Sequence, residues 1–295
     1  MPRTERPPRG SGPARLAAAT LVLAPALGVT YAAAVLARRQ LATAAAARRA
    51  LERLALHELL RGRTVEAEPL GTGKSNAVIA VRLTGGAAPE TRLVLKRALP
   101  FGSLMAWGAR RFGANYVYAA ATAGPARIAR EAAALRVLGA RGVAVPRCLA
   151  AAPAHRLIAI EWIDGAPAAT ALHLPGGEAR AREVGALLAE VHGLGVTLAD
   201  GHPGNMLIAR ATDRLVLFDL EFAECTGASP ARRGFDLAYA AVLMPDAATR
   251  AGLLAGYGEP SAEDRAAFAV AERHLRRFGP LLDLERARWA PRPAA

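Results

Sequence analysis

Asp200 and Asn205 lie five positions apart in the stretch LADGHPGNMLI, which has Gly and Pro between them and an apolar run behind them. Asparagine is rare in this chain, occurring only as Asn76, Asn115 and Asn205. A carboxylate can accept or orient a proton, and carboxylate and amide oxygens are the ligands that Mg²⁺ prefers. We therefore predict that Asp200 acts on a proton and that Asn205 is a metal ligand in the same tight loop.

Three charged residues elsewhere extend this chemistry. The only lysines are Lys74 and Lys96 among many arginines, and a site that needs a compact ammonium would not accept the wide guanidinium fork. Lys96 on a strand and Glu131 on a helix form a predicted ion pair that grips the α- and β-phosphates of ATP. Asp219, which follows LVLF, is predicted to hold Mg²⁺ together with Asn205. The simpler alternatives are an edge-strand lysine for Lys96 and a turn residue for Asp219.

The Gly-rich stretch LGTGKSNA, residues 70–77, is a second candidate phosphate site through Gly71, Gly73 and Lys74. A P-loop is excluded, because Glu68 occupies the position of its first glycine and a strand-like run follows instead of a helix. The stretch is interpreted as a hairpin turn whose backbone N–H groups can lie over phosphates. Lys74 is either a phosphate contact or a solvated loop residue.

The elements that must position these residues change character along the chain. TVEAEPL, NAVIAVRL and TRLVLKRA alternate as strands, PARIAREAAALRVLGARG has helical spacing, and RCLAAAP and RLIAIEWIDG predict two further strands. Beyond Gly165 the chain is mostly helical, apart from the Asp200 loop and the strand before Asp219. The sequence predicts an α+β fold with two lobes, a small antiparallel-sheet N-lobe at 62–164 and a helical C-lobe at 165–295.

Residues before the N-lobe divide into three parts. Residues 1–15 are predicted to be a disordered basic tail. Leu16–Ala37 is a 22-residue run without a charge, long enough for a transmembrane or anchor helix, although a signal segment or a buried helix is the alternative. Residues 38–61 are predicted to form a linker helix. The arginines that follow the apolar run favour a cytoplasmic main domain at the membrane.

Composition bears on the partners. The net charge is +13, but the arginines are spread along the chain without interleaved aromatic residues, so we predict no nucleic-acid partner. The two cysteines, Cys148 and Cys225, form neither a disulfide framework nor a metal pair. We therefore expect no disulfide partner.

The ordered motifs together resemble the protein-kinase-like superfamily, in particular its aminoglycoside/choline phosphotransferase, RIO-type and lipopolysaccharide (Kdo) kinase branches. DGHPGNMLI resembles their catalytic loop, LVLFDLEFA their metal-binding strand and turn, REAAALRVL their Glu helix, and RLIAIEWIDG their hinge strand. The resemblance covers roughly residues 64–245. It implies a bilobal fold with ATP in the cleft between the lobes, and it places Glu161 of the hinge strand among the nucleotide-binding residues.

The same resemblance assigns supporting roles. In GFDLAYAAVL, Asp236 is expected to brace the catalytic loop, with an N-terminal helix cap as the alternative. His192 and His202 are expected to be structural. Glu221 is either a second acidic metal contact or a surface residue.

Departures from the family pattern narrow the function. Leu198 stands where the family has His two positions before the catalytic Asp, which brings the loop geometry into question. Asp219 and Asp236 are only 17 positions apart, too close for a long activation segment that docks peptides. The insertion at 101–124 is interpreted as a lobe-covering helix or as a substrate or membrane contact.

The sequence thus predicts an ATP- and Mg²⁺-dependent phosphotransferase that acts on a hydroxyl of a small molecule, a lipid-linked sugar or one dedicated protein. A catalytically silent ATP-binding scaffold is the alternative, and Leu198 is its main argument. A membrane-tethered helical protein with chance motifs is a further alternative.

Overall fold

The computed structural model describes residues 36, 39, 42–70, 76–99 and 123–290. The predicted tail at 1–15, most of the apolar run at 16–37 and most of the insertion at 101–124 lie outside the described residues, as do Gly71, Gly73 and Lys74. Within the described part of the chain, no helix is long and apolar enough to cross a bilayer.

The N-lobe is built on a five-stranded antiparallel sheet of order β1-β2-β3-β5-β4. Its strands are β1 (Thr64–Pro69), β2 (Asn76–Thr84), β3 (Thr91–Ala98), β4 (Cys148–Ala152) and β5 (Leu157–Glu161). Side chains alternate across β3: Val94, Lys96 and Ala98 face one side, and Leu93, Leu95 and Arg97 face the other. The register pairs Lys96 with Ile158 and Arg97 with Leu157.

Helices cover both faces of this sheet. Helix α3 (Gly124–Ala140) packs on the Lys96 side, where Ile128, Leu135 and Leu138 are buried. The opposite side is covered by α1 (Ala44–Arg53) and α2 (His57–Leu60). The continuous linker helix predicted over 38–61 is therefore interrupted, because Ala55 adopts a left-handed φ of 57° and the chain turns so that Leu54 and Leu60 both reach the sheet.

The C-lobe is mostly helical. Its helices are α4 (Ala168–Ala171), α5 (Gly177–Gly193), α6 (Pro230–Val242), α7 (Ala247–Tyr257), α8 (Ala262–Leu275) and α9 (Gly279–Trp289). A three-stranded sheet of β6 (Gly165–Pro167), β7 (Met206–Ala209) and β8 (Leu215–Leu217) lies on the side of the N-lobe. The predicted two-lobed α+β architecture is confirmed.

The β7–β8 hairpin sets the geometry of the site. Met206 pairs with Leu217, and the N–H of Phe218 donates to the carbonyl of Asn205 at 3.0 Å. The loop that ends at Asn205 and the turn that begins at Asp219 are therefore held side by side, although 14 positions separate them in the sequence.

Candidate functional site

The centre of the cleft is a buried ammonium between two carboxylates. The Nζ atom of Lys96 donates to Oε1 of Glu131 at 3.0 Å and also contacts Oδ1 of Asp219. Strand β3 supplies Lys96, the buried face of α3 supplies Glu131, and the end of β8 supplies Asp219. The Lys96–Glu131 ion pair that the sequence predicted is therefore present, and Asp219 joins it from the other lobe.

The charged residues of this cluster shift one another's pKa values. Burial disfavours the charged form of Lys96, but the carboxylates of Asp219, Glu131 and Glu221 outweigh it and raise the pKa of Lys96 above its usual value. Burial also raises the pKa of Glu131, and so does the negative charge of Asp219 and Glu221, while Lys96 opposes this rise. The charged form of Lys96 is therefore favoured, and its ammonium contacts one buried and one more exposed carboxylate.

Asp219 has the strained backbone of a tight turn. Its φ is 60°, in the left-handed region that Asp tolerates better than bulkier residues. One third of its side chain remains exposed (33%), whereas Glu131 is almost fully buried. Burial raises the pKa of Asp219, Lys96 lowers it, and Glu221 raises it again. Of the two carboxylates that touch Lys96, Asp219 is thus the one with room for a ligand.

The second half of the site is the loop that connects α5 to β7. The side-chain N–H groups of Asn205 donate to the carbonyl of Asp200 at 2.9 Å and to its Oδ2 at 3.1 Å. Within the described part of the chain, this leaves the Oδ1 of Asn205 free for a cation. His202 Nδ1 accepts from the N–H of Gly204 at 3.1 Å, so Nε2, 3.3 Å from Oδ1 of Asp200, carries the proton.

His202 acts on the charge of Asp200. Burial favours the neutral form of Asp200, but the His202 imidazole and the Asn205 hydrogen bond lower the pKa of Asp200 below its usual value. The imidazole lies between two aromatic rings, stacked on Trp289 and edge-on to Tyr239, with ring centroids 5.4 Å apart in both cases. This agrees with the expected structural part for His202, since packing on two rings fixes its orientation toward Asp200.

Asp236 lies in the middle of helix α6 and is completely buried. Its carboxylate accepts hydrogen bonds from the backbone N–H groups of Leu198 at 2.7 Å and Ala199 at 2.8 Å. The alternative of an N-terminal helix cap is wrong, because the helix begins six residues earlier at Pro230. Asp236 therefore braces the backbone that leads into the Asp200 loop, as the resemblance predicted.

Leu198 fits this arrangement without an imidazole of its own. Its side chain is buried in the core, and its backbone N–H is the group that Asp236 holds. A histidine reaches the same carboxylate from elsewhere: Nε2 of His192 lies 3.1 Å from Oδ2 of Asp236, and Nδ1 lies 2.8 Å from the hydroxyl of Tyr257. The departure at Leu198 therefore leaves the loop braced.

A buried ion pair that the sequence did not predict adjoins the Lys96 cluster. Nη1 of Arg127 lies 3.1 Å from Oε2 of Glu221, and the same oxygen accepts from Nδ2 of Asn76 at 2.8 Å. Arg127 also donates to the carbonyl of Leu99 at 3.1 Å. Glu221 is only 1% exposed, so its interpretation as a surface residue is wrong. Arg127 lies one helical turn before Glu131, and this spacing was the only signal in the sequence.

The cleft between the lobes has a volume of about 490 Å³ and combines an apolar wall with a charged floor. Lys96, Glu131 and Asp219 form the floor, and apolar side chains of both lobes form the wall (Leu70, Val78, Val94, Ile160, Leu207 and Phe218). Glu161 lies at its edge in the hinge, where its carboxylate accepts from the N–H of Arg147 at 3.1 Å and its own N–H donates to the Arg147 carbonyl at 2.9 Å. A planar base and a polyphosphate would suit this pairing of surfaces.

The described residues contain no group of three or more His, Cys, Asp or Glu side chains that could hold a metal by themselves. Asp219 lines the cleft just after β8, and Asn205 is held near it, directly before β7, because its carbonyl accepts from the N–H of Phe218. Both residues carry side-chain oxygens. Mg²⁺ commonly uses one or two protein carboxylates and completes its octahedron with waters and substrate phosphates. The donor set therefore fits a metal that arrives with a nucleotide.

Comparison with known protein families covers the N-terminal part of this site. Residues 66–198 match the phosphotransferase enzyme family, and the predicted resemblance to the protein-kinase-like superfamily is confirmed. The matched range includes Lys96, Glu131 and Glu161 and ends before Asp200. No curated protein matches the chain with significant similarity.

The chain is similar to several solved structures over most of its length. It is similar to the Rio2 kinase from Chaetomium thermophilum at 14% identity and a TM-score of 0.47, covering 78% of this chain and 76% of that one. The ADP/Mg²⁺-phosphoaspartate complex of the same kinase gives 13% identity, a TM-score of 0.47 and coverage of 77% and 74%. A choline/ethanolamine kinase family protein from Mesorhizobium loti gives 18% identity, a TM-score of 0.48 and coverage of 82% and 87%.

Proposed function

We propose that this chain is an ATP- and Mg²⁺-dependent phosphotransferase that transfers the γ-phosphoryl group to a hydroxyl acceptor. The observation that carries the proposal is the contact of one buried ammonium, Lys96, with Glu131 and Asp219 on the floor of a cleft. The Asp200–Asn205 loop reaches this cleft through Gly204. A purely structural ion pair would need only one carboxylate. Here the second carboxylate is partly exposed and faces the cleft.

Each residue has a separate part in the proposed reaction. Lys96, held by Glu131, binds the α- and β-phosphates, and Asn205 and Asp219 hold Mg²⁺, which neutralises charge on the phosphate oxygens. Asp200 accepts a hydrogen bond from the acceptor hydroxyl and orients its oxygen toward the γ-phosphorus. Since the pKa of Asp200 is lowered, its main contribution is to position the hydroxyl and to take its proton late, which suits a loose transition state.

The acceptor is proposed to be a small molecule, a lipid-linked sugar or one dedicated protein. Only 10 residues lie between Asp219 and the start of α6 at Pro230, so the chain has no long segment there to dock a peptide. We also propose that the enzyme works at the cytoplasmic face of a membrane, with the uncharged run at 16–37 as its anchor.

The test uses full-length protein with Mg-ATP and a panel of hydroxyl acceptors of these three classes. We expect Lys96→Met to lower turnover by about 10²-fold or more, since phosphate positioning and charge stabilisation provide much of the rate. Arg82→Met is the matched control, because Arg82 is an exposed cation of the same sheet that pairs with Glu66. Near-normal turnover of the Lys96 variant would refute the assignment.

Asp200→Asn separates an enzyme from a silent nucleotide-binding scaffold. Mg-ATP should stabilise both the wild type and this variant against heat, because a ligand stabilises the folded state that binds it. Phosphoryl transfer should be lost only in the variant. Stabilisation of the wild type by Mg-ATP without transfer to any acceptor would favour the scaffold, and transfer that persists in Asp200→Asn would refute the role of Asp200.

A further inference from the structure

A groove on the outer face of the N-lobe gathers arginines that belong to different elements. It has a volume of about 560 Å³, and its lining includes Arg49 and Arg53 of α1, Arg97 of β3 and Leu157 of β5. Arg97 is the neighbour of Lys96, but their side chains point to opposite sides of the sheet. The groove is therefore separate from the nucleotide cleft and takes no part in the proposed transfer.

No acidic residue lines this groove. Arg156 lies close enough to Arg97 to repel it. In the described part of the chain, neither Arg156 nor any of the three groove arginines forms an ion pair with a carboxylate. Burial lowers the pKa of the half-buried Arg97, and the charges of Arg156 and Arg53 lower it further. Arg61, Arg82 and Arg180, by contrast, each contact a carboxylate. Unopposed like charges in a concave site attract anions.

The start of helix α1 adds to this field. Thr43 caps the helix and also lines the groove, so the backbone N–H groups of the first turn lie at its edge. The N-terminus of a helix carries a partial positive charge that favours phosphate groups. Guanidinium groups and helix amides are the donors that recognise phosphate oxygens.

We propose that this groove, formed by Arg49, Arg53 and Arg97, docks the N-lobe on the phosphate headgroups of an anionic phospholipid surface. The position of the groove in the chain favours a membrane over a soluble anion. The uncharged run ends at Ala37, six positions before Thr43, and six residues span at most about 20 Å. A bilayer that holds this run would lie within reach of the groove.

The experiment measures amide hydrogen exchange in the full-length protein bound to vesicles. One set of vesicles is phosphatidylcholine alone, and the other also contains phosphatidylglycerol. The apolar run can hold the chain on both kinds of vesicle, so binding alone does not test the groove. The informative measurement is the exchange of the amides that border it. We expect exchange across Ala44–Arg53 to be slowed at least fivefold more by the anionic vesicles, because one arginine near an anionic surface contributes about a factor of five in affinity.

Charge removal tests the named side chains. The triple variant R49Q/R53Q/R97Q should lose the extra protection. Three arginines together raise the affinity for an anionic surface by about 100-fold, and the variant lacks this contribution. The matched control is R141Q/R273Q/R277Q, which removes three exposed arginines far from the groove in the sequence and should keep it. R49K/R53K/R97K should retain most of the protection, since headgroup attraction depends mainly on charge.

Several results would overturn the proposal. Equal exchange on both kinds of vesicle would do so, and so would protection that survives in R49Q/R53Q/R97Q. Glycerol phosphate in solution that protects α1 equally well would identify a soluble ligand instead. Stronger protection by a single-stranded oligonucleotide would identify nucleic acid.

A second measurement covers the case in which the triple variant does not fold. Anionic vesicles should lose their extra protective effect on the wild type when salt is raised from about 0.1 M to 1 M, because the screening length falls from about 10 Å to 3 Å. Protection that does not change with salt would contradict the proposal without any substitution. Phosphoryl transfer to a soluble acceptor is expected to be unchanged in R49Q/R53Q/R97Q, so failure of this proposal is distinct from failure of the proposed activity.

Discussion

The carboxylate of Asp236 accepts a hydrogen bond from the backbone N–H of Leu198 at 2.7 Å, across 38 positions of sequence. It accepts a second from Ala199, whose φ of 60° is left-handed. The chain therefore enters the Asp200 loop through a strained residue whose conformation is held by a buried charge on another helix. Asp236 thus fixes the backbone before Asp200, while Asn205 and His202 contact the Asp200 carboxylate itself.

Replacing Asp236 with Ala should destabilise the protein and disorder the loop. Two buried N–H groups would lose their acceptor, and each costs about 1–3 kcal/mol when left unpaired. We expect a free energy of unfolding lower by several kcal/mol in denaturant titrations. Asp264→Ala is a useful comparison, since it removes a buried carboxylate of α8 that pairs with Arg233 away from the loop. Equal loss of phosphoryl transfer in the two variants would contradict a specific brace.

The sequence predicted the two lobes, the strands of the N-lobe and the order of the charged residues, because these follow from local periodicity and from motif spacing. It could not predict that His192 reaches Asp236, since the two residues come from helices whose packing depends on the whole C-lobe. The pairing of Arg127 with Glu221 was missed for the same reason. Apart from its position one helical turn before Glu131, nothing local distinguishes the fully buried Arg127 from the many exposed arginines of this chain.

The buried pair of Arg127 and Glu221 should be costly to break from one side. Removing one partner of a buried ion pair leaves an uncompensated charge and costs about 3–5 kcal/mol. We therefore expect Glu221→Gln and Arg127→Met each to lower the free energy of unfolding by several kcal/mol. Arg127→Met/Glu221→Met should cost less than the sum of the two single changes, because no buried charge remains without a partner.

The exposed pair of Arg61 and Glu58 provides the control for this double-mutant cycle, because both of its side chains are largely in solvent. An exposed pair contributes about 0–1 kcal/mol, and its variants should unfold close to the wild type. Additive effects at Arg127 and Glu221 would show that the two side chains are not coupled in solution.

A capping box at the start of α7 makes a prediction that depends on pH. The side chain of Asp246 accepts from the N–H of Thr249 at 2.8 Å, and hydrogen bonds to Thr249 hold the pKa of Asp246 below its usual value. The cap stabilises the folded state when the carboxylate is charged, and Asp246→Ala should cost about 1 kcal/mol at neutral pH. Since the folded-state pKa is lowered, this contribution should be lost as the pH falls through it.

Thermal melting at pH 7 and at a pH below the range where carboxylates titrate checks this directly. The difference in Tm between wild type and Asp246→Ala should shrink in acid. Asp246→Asn is the matched control, because a neutral Asn also caps helices well. A difference in Tm that stays constant with pH would show that charge at Asp246 does not contribute.

Close packing of α5 against α7 gives the last prediction. A Cβ atom added to Gly185 would lie 2.0 Å from the carbonyl oxygen of Leu253 and 2.6 Å from the backbone nitrogen of Tyr257. Alanine normally stabilises a helix by about 1 kcal/mol relative to glycine, but here the two helices would have to separate. We expect Gly185→Ala to lower the free energy of unfolding by about 1–3 kcal/mol, as overpacking of a core does. Gly193→Ala on the same helix meets no atom within 4 Å and should leave stability unchanged or raise it slightly. Tyr257 of α7 contacts His192, so separation of the two helices should also weaken the brace on Asp236. Denaturant titrations should show a lower free energy of unfolding for Gly185→Ala than for the wild type, and an equal or slightly higher one for Gly193→Ala.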